Sequence, residues 1–181
     1  LLMSAIATWV VLIFNVLLLV GLIKRVNQLA GNTIPTKERV LAEAQERRGE
    51  QALSFTATGT NGEAVTLDDY AGQTLTLLFM SSTCQPCIEK IPALNAHYHN
   101  SNTPRHQFLV VDTGVNVDED ALTDKHGLQI PVIQAPYLEN SLATDYGANS
   151  TPYFVTITPQ GTIHAAGALL SDYLQEQLSL R

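Results

Sequence analysis

From Leu1 to Ile23 the chain has no charged side chain, and Asn15 is its only strongly polar group there. An uncharged apolar run of that length matches the roughly 20 residues that cross a bilayer core. A buried core helix is the plain competing reading, and the uncharged length weighs against it. A cleaved signal peptide fits worse. No basic residue precedes the run, and Lys24-Arg25-Val26-Asn27 follows where small residues would mark cleavage. The pattern therefore predicts a single-pass transmembrane anchor over 1–23. Residues 24–50 read as a juxtamembrane tether, with Thr36 placed to cap a helix running to about Arg48 and Gly49 as its stop. Val40, Leu41 and Ala44 make only a thin apolar stripe without heptads, which suits a solvated spacer better than a coiled coil.

After residue 50 the spacing changes. Residues 53–57 and 64–67 read as two strands around the turn at Asn61-Gly62, and 68–72 as a short connector. Thr74 to Met80 is a continuous apolar run, short enough to be a strand buried on both faces. Gln107 to Asp112 is a second such strand, followed by a helix over 118–126 that Gly127 ends. A short strand at 129–133 and a short helix at 140–146 come next. Strands at 153–158 and 162–166 flank the turn Pro159-Gln160-Gly161, and a closing helix runs from residue 171 or 172 to 180. Alternating strands and helices with a terminal hairpin predict an α/β layered domain over 51–181, built on a mixed central sheet.

Charge sharpens this division. Residues 1–48 hold six of the ten Lys and Arg and three acids, whereas 49–181 hold four Lys and Arg and fourteen acids. An acidic domain lacks the basic footprint of a nucleic-acid binder. Two cysteines are too few to staple a fold, so the core must be hydrophobic.

Those two cysteines carry the chemistry. They stand in Ser81-Ser82-Thr83-Cys84-Gln85-Pro86-Cys87, between the 74–80 strand and a helix-compatible segment. Ser82 or Thr83 can cap the first helical turn. That puts Cys84 at the helix start, where free N–H groups and the macrodipole stabilise a thiolate. Cys87, one turn deeper, is within reach of a disulfide with it. Such a pair suits thiol–disulfide exchange, with Cys84 attacking and Cys87 resolving the mixed intermediate. Half a zinc site has the same spacing. His97 and His99, two apart on a helix, point to different faces, and His106, His126 and His164 are scattered. A copper carrier using both thiols and one distant histidine is a second reading. Pro92, inside the predicted helix, should kink or locally break its backbone ladder. Thr151-Pro152 precedes an apolar strand; a cis bond there would present the Thr151 backbone as an unpaired edge beside the disulfide, where a substrate peptide could pair.

Together, strand–Cys-Gln-Pro-Cys–helix, Pro92 at its offset and Thr151-Pro152 before a hairpin resemble the thioredoxin fold. The chain is most similar to membrane-anchored oxidoreductases of the TlpA/ResA type, especially the MauD-like branch. Further matching pieces are Lys125-His126-Gly127-Leu128, Leu142-Ala143-Thr144-Asp145-Tyr146-Gly147 and Thr151-Pro152-Tyr153, and the resemblance spans roughly 50–178 plus the anchor. It implies Cys84 as nucleophile, Cys87 as resolving thiol, Pro152 as the cis-proline with Thr151 before it, and an extra strand–helix insertion within 114–146. It also implies disulfide-containing client proteins, a membrane thiol protein as electron donor, no cofactor, and a part in maturing a secreted or periplasmic enzyme such as methylamine dehydrogenase. The chain departs from these patterns at three places. Thr83 stands where thioredoxins have Trp, a feature shared with the MauD-like pattern. Leu78 stands where they carry a buried acid. Lys90 stands where the TlpA/ResA group often has Glu, with Glu89 one place earlier. A lysine there lowers a thiol pKa if it faces inward, whereas Glu89 reads as a solvated helix residue. Peroxiredoxin, the nearest competing thiol enzyme, fits poorly, since Leu77 occupies the place of its Pro although Ser81 could serve as its hydroxyl residue.

The expected function is a membrane-tethered protein disulfide oxidoreductase that reduces or isomerises client disulfides. Pro86 removes a backbone N–H that could stabilise a thiolate, which favours a reductant. The alternatives are a thiol-based metal chaperone and an interaction domain with a static disulfide. Lys24, Arg25, Lys37 and Arg39 follow the apolar run, and the positive-inside rule alone would keep the domain in the cytoplasm. Disulfide chemistry and the family resemblance place it on the extracytoplasmic, periplasmic side instead, and that is the expectation adopted.

Overall fold

A computed structural model describes residues 2–31, 46–101, 103–115 and 121–168. The chain divides into two compact units, Leu1–Thr36 and Lys37–Arg181. Most of the tether helix, the first residues of the 118–126 helix and the whole closing helix lie outside the described residues.

The described part of the first unit is a helix, Leu2–Gly31. Its described side chains include Trp9, Leu12, Phe14, Leu17 and Leu22, all exposed on successive faces. Among the described residues no helix is long and apolar enough to cross a membrane.

The second unit is built on a seven-stranded sheet. Its strands are β1 (Thr56–Gly59), β2 (Ala64–Thr66), β3 (Thr74–Met80), β4 (His106–Asp112), β5 (Val132–Gln134), β6 (Tyr153–Ile157) and β7 (Ile163–Ala168). Their spatial order is β2-β1-β5-β4-β3-β6-β7. The central β5, β4 and β3 are parallel, while β1 and β2 on one side and β6 and β7 on the other run antiparallel. This is the mixed sheet that the alternation of elements predicts, with β5 as the inserted strand that joins the N-terminal hairpin to the centre.

β3 is where the continuous apolar run placed it. It is buried on both faces, which is why it shows no polar alternation. Leu75, Leu77 and Phe79 pack on one face with Leu109, Val111 and Tyr146. Leu78 and Met80 pack on the other with Val110, Ile91, Leu94, Leu122 and Phe154. Each such side chain contributes about 1.5–3 kcal/mol through burial.

Several boundaries differ from the sequence expectation. β1 begins at Thr56 rather than residue 53. The Leu53 carbonyl accepts the Tyr146 hydroxyl at 2.5 Å, and Ala52 N–H bonds to Gly161 O, so this stretch belongs to other partners. β5 begins at Val132, because Pro131 has no N–H to give a ladder. The predicted connector is a 3₁₀ turn, Leu67–Tyr70, and the described part of the 118–126 helix is a π-type turn, Ala121–Lys125. The short helix expected over 140–146 is Leu142–Asp145.

Candidate functional site

β3 delivers the chain to the cysteine turn. Cys84 is the N-cap of a one-turn helix, Gln85–Ile88, with Pro86 in its first turn. The expectation that Ser82 or Thr83 would cap this helix is corrected. No side chain caps it; the Ser81 and Thr83 hydroxyls bond each other at 3.0 Å instead. Proline fixes φ in the helical range without needing that cap. The Cys84 carbonyl takes the N–H groups of Cys87 and Ile88, at 2.9 and 3.1 Å. The helix then stops, and a second one, Ile91–Ser101, begins. Pro92 explains the break. It has no N–H for the Ile88 carbonyl four residues earlier, and it sits in the first turn of the new helix, where that loss costs little. One turn of helix carries a smaller dipole than the continuous helix expected from sequence.

Cys84 and Cys87 are joined in a disulfide with Cα atoms 5.2 Å apart. Their surroundings differ. Cys84 is half-buried, whereas Cys87 is 0% exposed and packs with Met80, Ile91 and Leu94. Only the first sulfur is therefore open to an incoming group. Gln85 and Pro86 are exposed beside it. The Thr151–Pro152 peptide is cis, and the Thr151 carbonyl oxygen lies 3.5 Å from Cys84 Sγ. A disulfide sulfur has no proton, so this is a contact now and a hydrogen-bond position for the S–H of the reduced form. β6 starts only at Tyr153. Among the described residues, Thr151 makes no backbone hydrogen bond, which leaves an open strand edge against the disulfide. All four residues singled out from sequence, Cys84, Cys87, Thr151 and Pro152, thus meet at one place.

Other candidates fall elsewhere. Glu89 is exposed and accepts from Gln85 Nε2 at 3.2 Å, while Lys90 is half-buried. His97 meets Phe108 edge-on, and His99 bonds to Gln129. Among the described residues no three His, Cys, Asp or Glu side chains are grouped to hold a metal. Leu78 is buried in the cluster that holds Met80 and Cys87.

Sequence reasoning missed Asp112. It closes β4 with no solvent exposure, its Oδ1 accepting Gly114 N–H at 2.9 Å. Burial pushes its carboxyl pKa up, and the Gly114 bond offsets part of that. An acid ending the apolar run Phe108–Val111 is the only signal it leaves in sequence, and solvated strand ends leave the same one.

Residues 48–166 match the AhpC/TSA family. The chain belongs to the AhpC/TSA family. Among curated proteins it is similar to the thiol-disulfide oxidoreductase ResA of Halalkalibacterium halodurans, 27% identical over 141 residues covering 74% of this chain and 77% of that protein. The ResA of Bacillus subtilis is 22% identical over 135 residues, covering 73% and 74%. Among solved structures, the thioredoxin domain of a thiol-disulfide oxidoreductase from Bacteroides vulgatus superposes with a TM-score of 0.63 at 21% identity, covering 72% of this chain and 94% of that one. A thiol:disulfide interchange protein DsbE from Chlorobium tepidum gives 0.61 at 20%, covering 72% and 92%. The fold is thioredoxin-like, and this member of the AhpC/TSA family is an oxidoreductase.

Proposed function

We propose that the protein exchanges disulfides with other proteins while held at a membrane by its first 23 residues. Cys84 is the attacking thiol and Cys87 the resolving one. The observation that carries this reading is the asymmetry of the pair: one sulfur reachable beside the open Thr151 edge, the other sealed in the core behind it. A client strand pairing with Thr151 brings its own disulfide to Cys84, and the fixed geometry turns the second step into an intramolecular one. Disulfide-containing clients agree with the names of the ResA and DsbE relatives. Direction is proposed as reduction or isomerisation, with Pro86 disfavouring a strongly stabilised thiolate. Maturation of a periplasmic enzyme, methylamine dehydrogenase among them, with electrons from a membrane thiol protein, is the physiological setting that the MauD-like pattern suggests.

Support for the tether is the uncharged stretch to Ile23 within one helix whose described apolar side chains are exposed, with Trp9 66% accessible. The domain is proposed to be extracytoplasmic on the grounds of its redox chemistry. Retention of the full chain in membranes after carbonate washing, with the domain cleaved by protease in spheroplasts, is the expected result. Release by carbonate or full protection would contradict it. For the activity, the full chain should reduce insulin disulfides with dithiothreitol as donor, and Cys84→Ser should abolish this. Peroxide consumption without disulfide reduction would support the peroxidatic reading instead; stoichiometric copper or zinc in the purified protein would support the metal chaperone.

A further inference from the structure

Among the described residues, one buried side-chain polar atom has no hydrogen-bond partner: Oδ2 of Asp112. A carboxyl group shut away from water with an oxygen unpaired is costly to keep. Its direction follows from the alternation of β4. Leu109 and Val111 pack on one face, Phe108 and Val110 on the other, and Asp112 falls on the face of Phe108 and Val110. Cys87 packs on that same face. Met80, the register partner of Asp112, belongs to the cluster that contains Cys87. The position along the sheet agrees. Asp112 ends β4 level with the end of β3, from which the chain runs into the cysteine turn. Thr113 ties the two strand ends together, donating both its N–H and its hydroxyl to the Met80 carbonyl at 2.9 and 3.1 Å.

We infer that Asp112 receives the proton of Cys87 when that thiol resolves the mixed disulfide. This rests on the exchange reading above. In the step, Cys84 Sγ is bonded to a client sulfur. The Cys87 proton passes to the Asp112 carboxylate, and the sulfur's electron pair forms the Cys84–Cys87 bond. The client sulfur leaves with the electrons of the broken bond and is protonated by Asp112 or solvent. The cysteine pair is oxidised by two electrons and the client disulfide is reduced by two. Cys87 has no exposed surface through which to give its proton to bulk water. Burial raises the Asp112 pKa toward that of a thiol, which favours proton transfer between them. The groups around it leave few competitors. On this face β3 and β5 bring no ionisable side chain, the cysteine helix brings Cys87, and Lys90 follows it half-buried; His106, His97 and Tyr98 gather at Phe108, four residues back along β4. Asp124 and Lys125, beyond the buried Leu122, are exposed. Asp118, Glu119 and Asp120 lie outside the described residues.

The test loads Cys84 of the full chain with thionitrobenzoate as a mixed disulfide and follows release of that chromophore by Cys87 across pH. Asp112→Asn should slow release near neutrality by on the order of a hundredfold and leave a profile that rises with a single thiol ionisation. Loading of Cys84 should stay within about twofold of wild type, since the base acts on the second step only. A variant that releases at the wild-type rate with the wild-type profile overturns the inference. Carboxyl-carbon NMR titration of Asp112 in the wild-type protein covers the case in which the variant does not fold. Different midpoints in the disulfide and dithiol forms are expected, and identical midpoints overturn it. Failure of a Cys87→Ser variant to form a mixed disulfide at Cys84 would instead overturn the exchange reading, and this inference with it.

Discussion

Asp112→Asn should change how stability depends on pH, as well as its value. In the folded chain Asp112 has no contact with water, one N–H partner and one unpaired oxygen. Burial outweighs the Gly114 hydrogen bond, so the folded pKa lies above the unfolded one. A carboxyl group whose pKa is raised on folding stabilises the fold fully below its unfolded pKa and loses that contribution as pH rises through the folded value. A tenfold difference in proton affinity between the folded and unfolded chain corresponds to about 1.4 kcal/mol. Leaving one buried acceptor unsatisfied costs about 1–3 kcal/mol, and the pH-dependent loss should be of that order. Asparagine does not titrate, so any packing cost it brings is a constant offset. Urea unfolding of both proteins from about pH 3.5 to pH 7.5 should therefore show the variant gaining on wild type by about 1–3 kcal/mol as pH increases. A stability difference that stays flat across the series would refute the reasoning, whatever its sign.

Leu94, 1% exposed, packs against the same cluster as Cys87; Leu94→Ala should cost about 2–5 kcal/mol in urea unfolding, and a loss below about 1 kcal/mol would show that the cysteine helices rest on other contacts. His97 and His106 both have lowered pKa values, chiefly through burial, with mutual repulsion adding to the effect on His97. The unfolded chain therefore takes up protons first, and stability should fall as pH drops from about 6.5 toward the folded values. His106→Gln should flatten that slope, and an unchanged slope would remove His106 from the account. Gly147 ends its helix at φ 72°, with an added Cβ 3.2 Å from Arg47 Nη1. Gly147→Ala should lower stability by about 1 kcal/mol or more, read as a reduced melting temperature, and a neutral result would contradict the strain assigned to that position.

How far sequence reaches into this structure depends on whether a residue's pattern has one physical meaning. The 74–80 run does, because an uninterrupted apolar segment of that length between turn signals suits a strand covered on both faces. Cys84, Cys87, Thr151 and Pro152 were also legible, because each is tied to a neighbouring element whose type was readable, and the sheet then brings them together. Capping was not. A hydroxyl at Ser82 or Thr83 is a good cap in isolation, but Pro86 fixes the turn and Ser81 competes for the Thr83 side chain. The start of β1 was misplaced because the Leu53 carbonyl bonds to Tyr146, 93 residues away, a partner that no local window contains. Asp112 was invisible for a similar reason. Which face it takes follows from β-sheet register, and whether its oxygen is paired follows from side chains contributed by several elements.

The central claim is that Cys84 captures a client sulfur and Cys87 displaces it. Expressing the full chain as Cys87→Ser and as Cys84→Ser, quenching with acid and resolving thiol-sensitive adducts on non-reducing gels tests it directly. Cys87→Ser should accumulate covalent complexes with other proteins that vanish on reduction, and Cys84→Ser should accumulate none. Equal adducts from both variants, or none from either, would contradict the division of labour between the half-buried, reachable sulfur and the fully buried one.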